Sequence, residues 1–528
     1  MTDSARDYSL LAVIVLAFLA FGGLFVQYLA SLDTEWGHVV IGYLLWHGQV
    51  QPFQDEMIGS RLPFPYYVIG LSQLVAGRDL LVARLFSLLM GAGTVICTFF
   101  LGRSLGGRVC AFVSVLLLVT HSVLVGFYSA ASHYALSSLL ITAGLLSIAT
   151  GPAAWARVLG MACFVAIAFT RAQLVVMVPL VLVYVLVCAR TRIERAILLA
   201  VTIAPPLVFF AWNLDHLKVL AYVPLAKRFV ARLGYRSLFE MGAESLLPQD
   251  DGLRGVVWFL KRHFFWVSTT ALVAGGLVLV RRSALRANRL AIPPLVLFIA
   301  ALAIVTFGWH VVGFSSFYVK QLYFKPIAAY ATAFAPLWAV TLGYGFSVLL
   351  SAHHAPRVVR LATAVWLLVV FALSPTLSRH AAMPLTLPPI TTIRLLESGA
   401  RQIQSVVPAG QRVFLFGSPI RAYLAGVTPY VQQIVHDSTL VPSSDEYAVA
   451  RSGLWGRKEI EAWLGRDAQY AIIEPALLRS YEEVASYAPL VQRIESLLAT
   501  HFRLAADVKA TPWSPSFLIY ARKDQPSA

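Results

Sequence analysis

The chain has 528 residues, of which 58% are hydrophobic and only 13% charged, with a mean hydropathy of +0.72. A soluble domain carries about 25% charged residues, so this composition excludes a soluble enzyme and specifies an integral membrane protein. The formal charge of +16 implies no nucleic-acid partner, because the basic residues follow the distribution expected of membrane loops.

Apolar runs near or above the roughly 20 residues that cross a bilayer as a helix recur through residues 1–375. The N-terminus, MTDSARDYSLL, carries little positive charge and no small-residue cleavage site, so the run at 8–30 reads as a retained first helix. A long loop over 31–79 follows, with short interfacial helices expected within it. Further helices are expected at 80–102, 109–127 and 133–149, with the basic turn from Gly102 to Arg108 between the first two. The run from Trp155 to Arg190 is too long for one span and is interrupted at Thr170-Arg171-Ala172-Gln173, giving helices five and six. The seventh covers 196–212, a second large loop covers 213–258, and the eighth ends at Arg281-Arg282. Helices at 291–312, 326–350 and 361–375 complete an expected set of eleven.

Alternating these spans gathers Arg103, Arg108, Arg157, Arg190, Arg192, Arg195, Arg281, Arg282, Arg286, Arg289, Arg357 and Arg360 on one side, with Glu194 as the one acid. By the positive-inside rule that side is cytoplasmic. The acids Asp33, Glu35, Asp55, Glu56, Asp79, Asp215, Glu240, Glu244, Asp250 and Asp251 fall on the other. An odd number of spans then places 376–528 outside as well. That tail alternates helical and strand patterns: a helix at 391–406, β runs at 413–416, 470–473, 503–508 and 517–520, and helices near 458–464 and 476–500. It reads as a small α/β domain. The domains expected are therefore a membrane domain, 1–375, with outer loops 31–79 and 213–258, and an extracytoplasmic domain, 376–528. Cys97, Cys110, Cys163 and Cys188 lie in apolar segments and indicate neither a disulfide framework nor a metal site.

Asp33 and Glu35 stand just past helix one. Two carboxylates there suit a general base taking a proton from a hydroxyl, or ligands for a hard divalent cation; a solvated loop with Asp33 as a helix cap is the plainer reading. Arg61, Arg171, Lys320 and Lys325 are cations at the outer membrane face, where ionisable groups are expensive and raise functional hypotheses. Together they suit the phosphate of a lipid carrier, although each alone is explained by snorkelling. Tyr66 and Tyr67, with Trp36, Trp46 and Phe64, form an aromatic belt suited to interfacial anchoring or sugar stacking. Tyr323, between Lys320 and Lys325, and His133, at the start of helix four, are further substrate-contact candidates, with a polar helix cap the plainer role for His133. His38 and His47 are too scattered for a metal motif. No P-loop, dinucleotide fingerprint or G-x-S-x-G element occurs.

The acidic pair after helix one, then LWHGQ, RLPFPYYVIGLS, ARLFSLLMG and FLGRSLGGR, resembles the GT-C superfamily of membrane glycosyltransferases. The resemblance is nearest to the branch of the lipid A aminoarabinose transferases and protein O-mannosyltransferases, and its motifs cover about 30–135. It implies a bacterial inner-membrane enzyme with its active site facing the periplasm. The donor would be a sugar on a polyprenyl (or dolichyl) phosphate, and the acceptor a glycolipid, glycan or protein. Asp33 is then the general base of an inverting displacement, and Glu35 a supporting acid or a ligand of a divalent metal, the one cofactor the pattern admits. Relatives commonly have adjacent Asp-Glu where Thr34 intervenes here, and Lys where this chain has Arg61 before its prolines, so the choice between the two acids stays open. Two rivals remain, a transporter or flippase of lipid-linked sugar and an inactive glycolipid-binding scaffold. A transporter would show ionisable groups at mid-membrane and an internal repeat, whereas the ionisable groups here gather at one face.

Overall fold

A computed structural model describes residues 3–30, 33–50, 63–151, 153–171, 174–212, 263–284, 293–317, 324–351, 357–377, 383, 387–438, 440–442, 446, 449, 455–510 and 515–524. The chain divides into two compact units, one built on Met1–Val26, Leu85–Trp212 and Asp250–Met383, the other on Gln27–Arg84 and Pro384–Ala528. The expected outer loop 213–258 lies outside the described residues.

The first unit is helical. Helix α1 (Asp3–Tyr28) is followed, beyond the segment 31–79, by α5 (Leu80–Thr120), α6 (Ser122–Ser129), α7 (His133–Thr150), α8 (Ala154–Thr170), α9 (Met177–Cys188) and α10 (Arg192–Trp212). Helices Phe264–Ala284, Pro294–Phe317, Phe324–Ser351 and Arg357–Leu377 complete it. Among the described residues, Ala5–Tyr28, Leu80–Thr120, His133–Thr150, Ala331–Ser351 and Arg357–Thr376 are each long and apolar enough to cross a membrane. Helix α5 is a hairpin in disguise: Gly106 and Gly107 leave helical geometry, Gly107 at φ 72°, where a side chain would be strained. The two arms return so closely that a Cβ on Gly102 would stand 3.0 Å from the Ala111 Cα. Phe99 and Phe112 meet edge to face across it at 5.1 Å. The second arm ends at Thr120, because His121 is extended and α6 starts afresh; the single helix expected over 109–127 is thus broken.

Two acidic side chains of this unit are paired with arginine. Asp7 of α1 meets Arg108 at 2.6 Å and Arg103 at 3.8 Å beside the glycine kink. Glu194, the exception to the charge bias, is paired with Arg157 and caps its own helix start by accepting the Arg190 amide at 3.0 Å.

In the second unit, the C-terminal sheet has the order β2 (Thr428–Pro429), β1 (Arg412–Phe416), β3 (Tyr470–Ile473), β5 (Phe517–Arg522), β4 (Phe502–Val508). Strand β1 is parallel to both neighbours, while β5 is antiparallel to β3 and β4. Alternation sends Phe414 and Phe416 to one face, with Trp455, Trp463 and Tyr487, and Val413 and Leu415 to the other, with Ile403 and Ala422. Both faces are covered, which is why β1 and β3 read as continuous apolar runs. The helix expected at 476–500 is two, Pro475–Glu482 and Ala488–His501. Pro489 accounts for the restart, since it lacks the amide a continuing helix would need and fits the first turn of a new one.

Candidate active site

The segment that follows α1 is a helical hairpin. Helix α2 (Asp33–Trp36) runs through one π turn (Gly37–Ile41) into α3 (Gly42–Trp46), and α4 (Phe64–Ala76) forms the other arm. The arms cross backbone to backbone at two glycines. A Cβ on Gly42 would lie 2.5 Å from the Tyr66 carbonyl oxygen, and one on Gly70 would lie 2.5 Å from the Gly42 carbonyl oxygen. Around this crossing His38 stacks on Tyr66 at 4.8 Å, and the Trp46 indole donates to the Tyr67 carbonyl at 2.8 Å. Tyr66 is buried, so its ring serves hairpin packing.

Glu35 sits two residues before the π turn and is fully buried. Arg84 grips it as a fork, Nε to Oε1 at 2.8 Å and Nη2 to Oε2 at 2.7 Å, and donates Nη1 to the Leu29 carbonyl at 3.0 Å. One buried guanidinium therefore joins the exit of α1, the start of the hairpin and the start of α5. Such a charge-assisted, two-point pair fixes direction as well as distance. It also commits both Glu35 oxygens. Among the described residues no group of three His, Cys, Asp or Glu side chains is placed to hold a metal ion.

A second cation joins the hairpin to the C-terminal domain. Arg78 packs against both Tyr43 and Tyr423, its guanidinium carbon 4.8 and 5.4 Å from their ring centroids, while the two rings meet edge to face at 5.5 Å. Its Nη1 donates to the Tyr423 and Val427 carbonyls at 3.2 and 3.4 Å. The Tyr423 hydroxyl donates to Gln73 Oε1 at 2.7 Å, and the same Gln73 amide brackets the Asp79 backbone. Burial pushes the Tyr423 phenol above its ordinary range, so it remains a donor at neutral pH.

In the helical unit, Arg171 follows the end of α8 in extended backbone and its Nη1 pairs with Nε2 of His133, the first residue of α7. The Tyr134 ring lies 6.0 Å from the same guanidinium. Ser132, the buried N-cap of α7, leaves its hydroxyl without a hydrogen-bond partner. A guanidinium, an imidazole, a hydroxyl and a helix N-terminus thus converge, a set that suits an anion.

The structure therefore brings Arg171 to His133 and builds Tyr66 and Tyr67 into the hairpin of Glu35. Arg61, Lys320 and Tyr323 lie outside the described residues; Asp33 and Lys325 are described through their helical backbones only. Sequence reasoning missed Arg84, Arg78, His38 and Tyr423. Arg84 carried a signal, a lone cation in LLVARLF that needs a buried acid.

A polytopic helical protein with an acid-bearing helical hairpin and a small C-terminal α/β sheet has the fold of the GT-C membrane glycosyltransferases, and this chain has that fold. No protein-family model matches it, and neither does any curated sequence. Solved structures do: it is similar over 97% of both chains to ArnT from Cupriavidus metallidurans bound to undecaprenyl phosphate, with TM-score 0.56 and 13% identity. The oligosaccharyltransferase of Archaeoglobus fulgidus in complex with Zn and sulfate matches at TM-score 0.47 and 12% identity, over 97% of this chain and 73% of that one. Arabinofuranosyltransferase AftD from Mycobacteria matches at TM-score 0.45 and 13% identity, over 98% and 40%. At these identities the likeness is one of fold.

Proposed function

We propose that this protein is a membrane glycosyltransferase that moves a sugar from a polyprenyl-phosphate donor to an extracytoplasmic acceptor hydroxyl with inversion. The observation that carries the residue assignment is the buried fork between Glu35 and Arg84, beside Asp33 in a chain of GT-C fold. Both Glu35 oxygens are already bonded to the Arg84 guanidinium, so the role assigned to Glu35 is to position the hairpin, and Asp33 is the base. Asp33 takes the proton from the acceptor hydroxyl as its oxygen bonds to the anomeric carbon. The bond from that carbon to the phosphate oxygen breaks on the opposite face, and the electron pair leaves with the polyprenyl phosphate. Arg61, Arg171, Lys320 and Lys325 are the cations assigned to that leaving group, with His133 holding Arg171. Tyr66, Tyr67 and Tyr323 remain assigned to the substrate side, the first two through the hairpin they build.

In this reading residues 1–375 form the catalytic membrane domain of a bacterial inner membrane. The active site and 376–528 face the periplasm, where lipid-linked donors are available and nucleotide sugars are not. The acceptor is a glycolipid, glycan or protein hydroxyl.

The test is Asp33→Asn. Proton removal by a positioned base contributes about 100-fold or more, so transfer from a lipid-phosphate donor should fall at least that far with expression unchanged. Normal transfer by this variant would remove Asp33 from the mechanism.

A further inference from the structure

We infer that the cleft between the turn at 77–80 and the helix Thr392–Gln404 is a subsite for a hydroxyl-rich, net-uncharged group of about one sugar ring. This deepens the reading above, on which it rests, by adding an acceptor site remote from Asp33. The cleft has a volume of about 200 Å³ and is lined by Arg78, Asp79, Glu397, Arg401 and Gln404. That volume holds roughly seven waters at about 30 Å³ each, enough for one ring and too little for an oligosaccharide.

Chemistry selects the class of ligand. Two arginines and two acids are among the residues of the cleft, so their formal charges cancel and there is no surplus to attract a phosphate. A sugar hydroxyl both donates and accepts, so a lining that offers both carboxylate acceptors and a guanidinium donor matches it. Leu80, Ile393 and Ala400 also line the cleft and are buried, supplying the apolar surface that a ring face covers.

Two features set this lining apart from an ordinary charged surface. Glu397 and Arg401 are one helical turn apart, a spacing at which such residues commonly pair, yet among the described residues neither makes an ion pair or a side-chain hydrogen bond, and neither does Gln404. Arg78, in contrast, is fully anchored behind the cleft by Tyr43 and Tyr423. Because Tyr43 belongs to α3, a ligand touching Arg78 engages the hairpin that bears Asp33 and Glu35.

Saturation-transfer NMR on the full-length protein in detergent micelles tests this, with methyl α-glucopyranoside as probe and glycerol 3-phosphate as the anionic control. The expected result is saturation transfer to the glucoside that falls at least fivefold in Glu397→Ala/Arg401→Ala, with the melting temperature unchanged because both side chains are exposed. Asp33→Asn should bind the glucoside like the wild type. The proposal is overturned by absence of transfer to the glucoside, by an unchanged signal in the double variant, or by a stronger signal for glycerol 3-phosphate. Sugar transfer that survives in Asp33→Asn would overturn the catalytic reading alone, leaving the cleft to be judged by the double variant.

Discussion

Arg84 illustrates how a single residue decides what its neighbour can do. Its fork with Glu35 is fully buried on both sides, and taking two charges out of water is repaid only when geometry and additional hydrogen bonds are good. Here the third bond, to the Leu29 carbonyl, supplies the addition. Removing one partner of such a pair costs about 3–5 kcal/mol, whereas replacing both with apolar residues of similar volume is often close to neutral. Glu35→Gln and Arg84→Met should therefore each lower the melting temperature strongly in detergent, and Glu35→Leu/Arg84→Met should recover most of the loss. The double variant should also retain measurable sugar transfer, which a role for Glu35 as the base would forbid. That acid was legible in the sequence as one of two candidates; its commitment to a residue 49 positions away was not, since no local pattern encodes the pairing.

At the scale of elements, the hairpin of α2, α3 and α4 is specified by glycine as much as by apolar residues. Gly42 and Gly70 touch through their backbones, so the arms meet at a separation no side chain permits. The π turn between Glu35 and Gly42 widens the helix there, as such turns frequently do at functional sites. Gly42→Ala would push the arms apart against backbone, a case of overpacking worth at least about 1–3 kcal/mol. A lowered melting temperature with impaired transfer is expected. If both were unchanged, the crossing would not be what holds Glu35 in place. The sequence pointed to short interfacial helices in this segment, but their angle and contact follow from which two glycines meet, a fact that hydropathy does not carry. The same holds for Arg78, whose partner Tyr423 is 345 residues away: its stacking makes the hairpin segment and the C-terminal domain parts of one compact unit, although the chain order separates them.

For the whole molecule, the proposed orientation rests on charge: in that topology the arginine-rich loops stay in the cytoplasm, and an odd number of spans carries the C-terminal domain across. A reporter enzyme that is active only outside the cytoplasm should therefore be active when fused after Asp524 and inactive when fused after Arg195; the reverse pattern would invert the proposed topology. Membrane class, the ranges in which helices form and the α/β character of the tail were all determined by the sequence itself. Each depends on hydropathy, period or charge summed over neighbouring residues, which a linear reading captures. The tertiary structure decided the rest: that Glu35 is forked by Arg84, that Arg171 meets His133, that Tyr66 stacks on His38 inside the hairpin, and that Arg78 joins the hairpin to the sheet domain. Those are pairings between distant side chains, and their free energy depends on burial and geometry that exist only once the chain has folded.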